Sequence, residues 1–267
     1  MLRRTLRCIE PHARFEIAMN GSLGILHLQR PDSLNAFSIE MSEYIKSSAK
    51  LVSHPESHVR ALIITGGTRS FSAGKDLKAS LLHTESEAHE YYQATLGAIR
   101  SLLDVPIPII AGIERICLGL GLELALTADI RIAATSSRIG FPEINLSIFP
   151  GCGGAVMLPL VLGSVSIASD LILTGRQITA QEAKDIGLMS RVVPDGSALD
   201  ECMKLAEPLI NKDRDLLIKT KEIVKFGFNR QLKGTDWMNL SEQYRTELGR
   251  SPSHLHALEK FAARKPR

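Results

Sequence analysis

Along the first half of the chain, apolar residues come in short runs. "FEIAM" at 15–19 and "GILHLQ" at 24–29 alternate or run apolar, as strands do. "ALIITGG" at 61–67 is an apolar run closed by glycines, the pattern of a buried strand, and "IPIIAGI" at 107–113 and "DIRIAAT" at 129–135 read the same way. Between these runs the apolar period lengthens to that of a helix. One helix is predicted over 38–52, beginning at a Ser38 cap, and another over 84–104, beginning with the capping box Thr84-x-x-Glu87. Strands alternating with helices predict an α/β architecture.

Beyond residue 154 strands nearly vanish. "GAVMLPLVLG", "SVSIASDLILTG" and "TAQEAKDIGL" read as helices, the last with a second capping box, Thr179-x-x-Glu182, and Gly163, Gly175 and Gly187 stop them in turn. "SRVV" at 190–193 suits one last strand. Residues 197–267 read as helices only, over 213–227, 236–249 and 252–263, with Ser251-Pro252 as cap and first turn.

One position breaks the pattern. "CLGLGLELALTADI", from Cys117 to Ile130, is nearly all small and apolar, yet Glu123 sits in its middle. A helix starting near Gly121 places Glu123 on one face with Leu120, Leu126 and Thr127, so the carboxylate is expected to be shielded. Such a group neutralises, finds an ion-pair partner, or works. "SSRIGFPEINLSIFPGCGG" at 136–154 carries a second carboxylate among apolar neighbours, Glu143. Two shielded glutamates on adjoining turns can divide acid and base work when their surroundings set their pKa values apart. A third feature, "GTRSFSAGKDL" at 67–77, follows a strand with small residues that leave backbone N–H groups exposed; with the N-terminus of the Gly121 helix, it can hold a developing oxyanion. It matches no phosphate-binding P-loop, and "GLGLEL" lacks the third glycine of a dinucleotide fingerprint.

Composition narrows the classes. The chain has 267 residues, 44% of them apolar, enough for a sizeable core. No run of about 18 apolar residues appears, so no membrane-spanning helix is expected. The net charge of +3 resides in residues 1–14, where Arg3, Arg4, Arg7 and Arg14 face Glu10 alone. The body is then neutral and offers no net field to nucleic acid, which makes a nucleic-acid partner unexpected. The Arg-rich, acid-poor start has the look of a mitochondrial presequence. Cys8, Cys117, Cys152 and Cys202 are far apart and predict free thiols; with the scattered histidines they form no metal-ligand spacing, so no metal is expected. His83 and His89 read as solvated helix residues.

Five segments, in order and with the spacing between the two glutamates kept, resemble the enoyl-CoA hydratase/isomerase (crotonase) family. They are "LQRPDSLNAFS" (28–38), "FSAGKDLK" (71–78), "LGLGLELALTADIRIAA" (118–134), "FPEINLSIFPGCGG" (141–154) and "LTGRQITAQEAKDIGLMSRVV" (173–193). Within the family, "LELALTADIRIAA" and the ending "LEKFAARKPR" are most similar to methylglutaconyl-CoA hydratase-like members. The resemblance implies a spiral of ββα units over 15–196 and a helical region at 197–267 that builds homotrimers or hexamers. It implies an acyl-CoA substrate, with no cofactor beyond the CoA of that substrate, in fatty-acid or branched-chain amino-acid breakdown.

By position, the resemblance makes Glu123 and Glu143 the catalytic pair, with the N–H groups of Lys75 and Leu120 as the oxyanion hole. Ala73, Lys75, Asp76, Leu77 and Lys78 would lie along CoA. Glu123 would activate water and Glu143 would protonate the alpha-carbon. Two alternatives accompany hydration. One is 3,2-enoyl-CoA isomerisation, which needs mainly Glu143. The other is AU-rich RNA binding, which members of the family achieve with a lysine-rich helix where this chain has only Lys46 and Lys50. The chain departs from the family pattern at Leu120, where a glycine is usual, and at Glu114-Arg115, where Asn-Gly is usual; Leu120 keeps its N–H but sets a side chain beside the thioester.

Overall fold

In a computed structural model, residues 12–225, 228, 236–249 and 251–263 are described. Residues 1–11, most of the presequence expectation, lie outside them; Ala13 and Arg14 already belong to the first strand, so a boundary at residue 14 falls inside it.

The chain opens with a hairpin, β1 (Ala13–Ala18) and β2 (Leu23–Leu28), followed by α1 (Ile39–Ser53), β3 (Ala61–Thr65), a short α2 (Leu77–Ser80) and α3 (Glu85–Leu103). Then come β4 (Ile109–Ile113), β5 (Ile116–Leu118) and α4 (Leu120–Leu126), and after them β6 (Ile130–Ala134), β7 (Arg138–Gly140) and a 3-10 turn at Pro142–Leu146. The remainder is α5 (Gly154–Leu162), α6 (Val165–Thr174), β8 (Gln177–Thr179), α7 (Ala180–Asp185), β9 (Arg191–Val193), α8 (Ala198–Ile210), α9 (Arg214–Val224), α10 (Asp236–Gly249) and α11 (Pro252–Ala262).

Six strands form the main sheet in the order β1-β2-β3-β4-β6-β9, parallel throughout except for the hairpin. Both faces of its central strands are buried, so the apolar runs alternate between two cores rather than between core and water. Leu62, Ile64, Ile109 and Ala111 face the larger core with Met41, Ile45 and Val52 of α1 and Ile99 and Leu102 of α3. Ile63, Ile110 and Ile132 face the other side, against Cys202, Ala206 and Ile210 of α8.

The spiral is visible in the strand order. β4 and β6 join the main sheet, and the strand following each, β5 and β7, crosses to a second sheet of order β5-β7-β8 before the next helix begins. That second sheet is a correction to the sequence expectation, which placed no separate strands at β7 and β8. Three-residue strands carry too few positions to show a period.

The caps follow the sequence closely. Ser38, Thr84, Thr179 and Ser251 each accept the N–H three residues on, and the box at Thr84 and Glu87 is complete. The Thr179 box is half made, because the Glu182 carboxylate turns to Arg176 at 2.7 Å. Cys117, Cys152 and Cys202 are buried and unbridged. Among the described residues no helix is long and apolar enough to cross a membrane.

Candidate active site

The 34–37 segment fixes the first wall of the site. Asn35, held in the left-handed region at φ 54°, donates through Nδ2 to the carbonyls of Gly66 and Ser70 at 3.0 and 2.8 Å and accepts the Arg30 N–H at 2.8 Å. Its own carbonyl accepts the Ser72 hydroxyl at 2.8 Å, the Leu34 carbonyl accepts Ala73 N–H at 2.9 Å, and Phe37 N–H donates to Gly74 O at 2.8 Å. The loop "FSAGKDL" is thereby pinned residue by residue. On its other side it runs beside β5, with Ser72 N–H on Ile116 O and Leu118 N–H on Ser72 O.

Gly74 lies at φ +89°, and a Cβ there would come 2.6 Å from Leu118 O and 3.0 Å from Leu120 N. Only a glycine lets the loop approach the start of α4 so closely. The N–H groups of Lys75 and Leu120 leave these two adjoining segments, and among the described residues neither meets an acceptor. The helix begins at Leu120, one residue before the sequence expectation, with Gly119 as its cap. Its first N–H groups therefore have no carbonyl within the helix. The Leu120 side chain is only 5% exposed and forms part of the cavity wall.

α4 buries every one of its residues, Glu123 included, at 2% exposure. Among the described residues the carboxylate meets no cation. Its Oε1 accepts the N–H groups of Cys152 and Gly154, both at 2.8 Å, from the turn that feeds α5. Burial pushes the Glu123 pKa up to about 7, and the two N–H donors oppose that rise. Glu143 arrives from the 3-10 turn after β7. A Cβ on Gly119 would sit 2.7 Å from Glu143 Oε1, so the carboxylate rests against the helix cap. Its Oε2 is buried without a hydrogen-bond partner. Burial first, and then the charge of Glu123, push its pKa up to about 8.

Both glutamates, Lys75 and Leu120 open into one cavity of about 890 Å³. Tyr91, Tyr92 and Thr95 of α3 form one side and Phe149, Gly151 and Cys152 another, while α10 and α11 supply Arg245, His254 and Leu258. His254 reaches the turn that bears Glu143 through Nδ1, 2.6 Å from Leu146 O. The sequence reading did not single out Arg245, His254 or the two tyrosines; each is an ordinary helix residue until the tail folds back over the turn. His83 is a correction too: it precedes α3 rather than lying on it, sits tilted against Tyr91 with ring centroids 5.8 Å apart, and lines the cavity.

Of the other residues expected along CoA, Ala73, Asp76, Leu77 and Lys78 do not line this cavity. Asp76 is engaged elsewhere. It caps α2 through the Ala79 N–H and binds both terminal nitrogens of Arg30 at 3.1 Å. Glu114 and Arg115, the second departure from the family pattern, also lie off the cavity: the buried Glu114 carboxylate accepts the N–H groups of Gly196 and Ala198 at the start of α8. On α1, Lys46 is paired with Glu43 at 2.9 Å.

Two shielded carboxylates facing free main-chain N–H groups can move protons at carbons beside a carbonyl whose oxygen those N–H groups stabilise. Known proteins are similar to this chain over most of its length. The enoyl-CoA hydratase/isomerase family model matches residues 18–264. The chain is 35% identical over 247 residues, 88% of its length and 88% of the relative's, to a Mycosarcoma maydis protein named enoyl-CoA isomerase/hydratase fer4. It is 38% identical over 213 residues, 80% of its length and 76% of the relative's, to a probable mitochondrial enoyl-CoA hydratase of Dictyostelium discoideum. The crystal structure of an enoyl-CoA hydratase from Bacillus anthracis superposes with a TM-score of 0.78 at 30% identity, covering 96% of this chain and 98% of that one. By this match and by its fold, the chain belongs to the enoyl-CoA hydratase/isomerase family.

Proposed function

We propose that the protein is an enoyl-CoA hydratase, adding water across the double bond of a 2-enoyl-CoA thioester. The observation that carries this reading is the pair Glu123 and Glu143, shielded in one cavity with pKa values raised to about 7 and about 8. Near neutral pH that ordering leaves Glu123 the readier base and Glu143 the proton carrier. The thioester oxygen docks on the N–H groups of Lys75 and Leu120. Glu123 takes a proton from water as it attacks the beta-carbon, and negative charge moves to the thioester oxygen. Each N–H donor aimed at that oxygen is worth about 2.7–4 kcal/mol in the transition state. Glu143 then delivers its proton to the alpha-carbon. A 3,2-isomerase needs one such carboxylate, and the presence of a second in the same cavity favours hydration.

The finer readings rest on less. Exposed apolar side chains on α6 and α9, among them Val165, Leu173, Ile223 and Val224, favour assembly as a homotrimer or hexamer. The Arg-rich residues 1–14 and relatives named as mitochondrial favour a mitochondrial location and a place in beta-oxidation.

The test is loss of the enoyl-thioester ultraviolet absorbance on adding crotonyl-CoA. The parent protein is expected to hydrate it, and Glu123→Gln and Glu143→Gln each to slow it by roughly 10²–10⁴-fold with an unchanged fold by circular dichroism. Parent-like rates in both variants would remove the glutamates from the mechanism.

A further inference from the structure

Glu143 carries the proton in the proposed reaction, yet the turn that bears it is thinly held. Pro142–Leu146 is a 3-10 turn that ends at Ser147, in the left-handed region at φ 58°. Ile144 and Asn145 lie exposed on its outer side. Its own closing bonds are Ser147 N–H to Ile144 O at 3.1 Å and Ile148 N–H to Glu143 O at 3.2 Å. The Glu143 carboxylate gives little anchorage, because its Oε2 is buried without a partner.

Among the described residues, two hydrogen bonds tie this turn to other elements. Asn145 Nδ2 reaches Gly175 O at 3.5 Å, and His254 Nδ1 stands 2.6 Å from Leu146 O. The first is at the edge of hydrogen-bond range and the second is short. A carbonyl only accepts, so Nδ1 carries the proton. Leu146 ends the turn, where a carbonyl has no helical N–H to meet, and the imidazole supplies the donor. Ser251 fixes the register of α11 by accepting the His254 N–H at 3.2 Å. The helix packs against both the Glu143 turn and α2, which follows the oxyanion loop. His254 is 3% exposed. Burial lowers its pKa, the Leu146 bond opposes that fall, and the charge of Lys75 adds to it. The ring is therefore neutral at pH 7 and above, and the Nδ1–H bond does not titrate away there.

From this arrangement we infer that His254 is a positioning residue: by its bond to Leu146 O it fixes the turn that sets the Glu143 carboxyl against Gly119, where the proton transfer needs it. It acts through the turn rather than on the substrate. The inference rests on the hydratase reading and adds to it a residue from the C-terminal helices. Glu123 faces Glu143 from α4, while Lys75, Glu85, His89 and Arg245 line the same cavity. None of these is altered in the tests, so a change in the titration of Glu143 reports its own placement.

The test sets His254→Leu, which loses the N–H and keeps an apolar side chain, beside His254→Asn, whose amide nitrogen falls near the Nδ1 position. His254→Leu is expected to lower kcat for crotonyl-CoA about tenfold or more with KM within about twofold of the parent, and His254→Asn to recover most of that loss. Should the leucine variant not fold, His254→Gln, whose amide falls near Nε2 instead, takes its place. A parent-like kcat in the variant without the Nδ1 donor overturns the inference. So does His254→Asn no faster than that variant, since the ring and not its N–H would then matter.

A second measurement needs no turnover. Removing the Glu143 charge by Glu143→Gln is expected to raise Tm by an amount that grows from about pH 5 to about pH 9. In the His254→Leu background that growth is expected to shrink by about half or more, because a loosened turn lets water reach the carboxyl, and in the His254→Asn background to persist. Growth of full size without the Nδ1 donor overturns the inference. If the parent protein hydrates no enoyl thioester, the hydratase reading fails and this second measurement alone decides the role of His254.

Discussion

At Glu143 a carboxylate is kept where its charged form is poorly served. One oxygen lies against Gly119 and the other has no donor. Burial and the charge of Glu123 raise its pKa from the ordinary 4.5 to about 8. A carboxyl whose pKa rises on folding holds its proton more tightly in the native state than in the unfolded chain. The native state is therefore favoured below about pH 4.5 and loses stability as pH climbs toward about 8. Glutamine keeps the shape and removes the charge. Glu143→Gln is expected to melt above the parent protein, with a difference that grows from about pH 5 to about pH 9. A difference that stays constant across that range would mean Glu143 is not held protonated by the fold. The same residue thus trades stability for a proton carrier near neutral pH.

Among the elements, those with enough residues to show a period were legible. α1 and α3 announce themselves by their caps at Ser38 and Thr84, and β2, β3 and β4 by apolar runs buried on both faces. β7 and β8, three residues each, were not legible; nor was the return of α10 and α11 over the site, since only tertiary contact shows that Arg245 and His254 face a cavity. Of the site itself, both glutamates and the glycine-bearing loop could be read because charge inside an apolar run is conspicuous. Of the five residues expected along CoA, Lys75, also read for its main-chain N–H, is the one that lines the cavity.

α9 is fastened by a cluster that periodicity also conceals. Asp129 accepts Lys221 Nζ at 2.9 Å, Lys225 Nζ at 2.7 Å and the Ile109 N–H at 2.7 Å, with all three side chains largely buried. Asp129→Ala leaves two ammonium groups without their anion and is expected to cost about 3–5 kcal/mol in urea unfolding. A cost below about 1 kcal/mol would place the cluster among ordinary surface pairs.

At the scale of the whole molecule, the surface of α9 does not look finished by one chain. Ile223 is 75% and Val224 79% exposed, side by side at its end. Light scattering is expected to give the mass of three or six chains, and Ile223→Asp with Val224→Asp to lower it. A parent protein with the mass of one chain would contradict the assembly reading.

The central claim is that two carboxyls in one cavity divide the proton work, and the pH dependence of kcat/KM for enoyl-thioester hydration tests it most directly. Glu123 must be ionised and Glu143 protonated, so the account predicts a bell with its rising limb near pH 7 and its falling limb near pH 8. A rate that stays flat from about pH 5 to about pH 10 would contradict it.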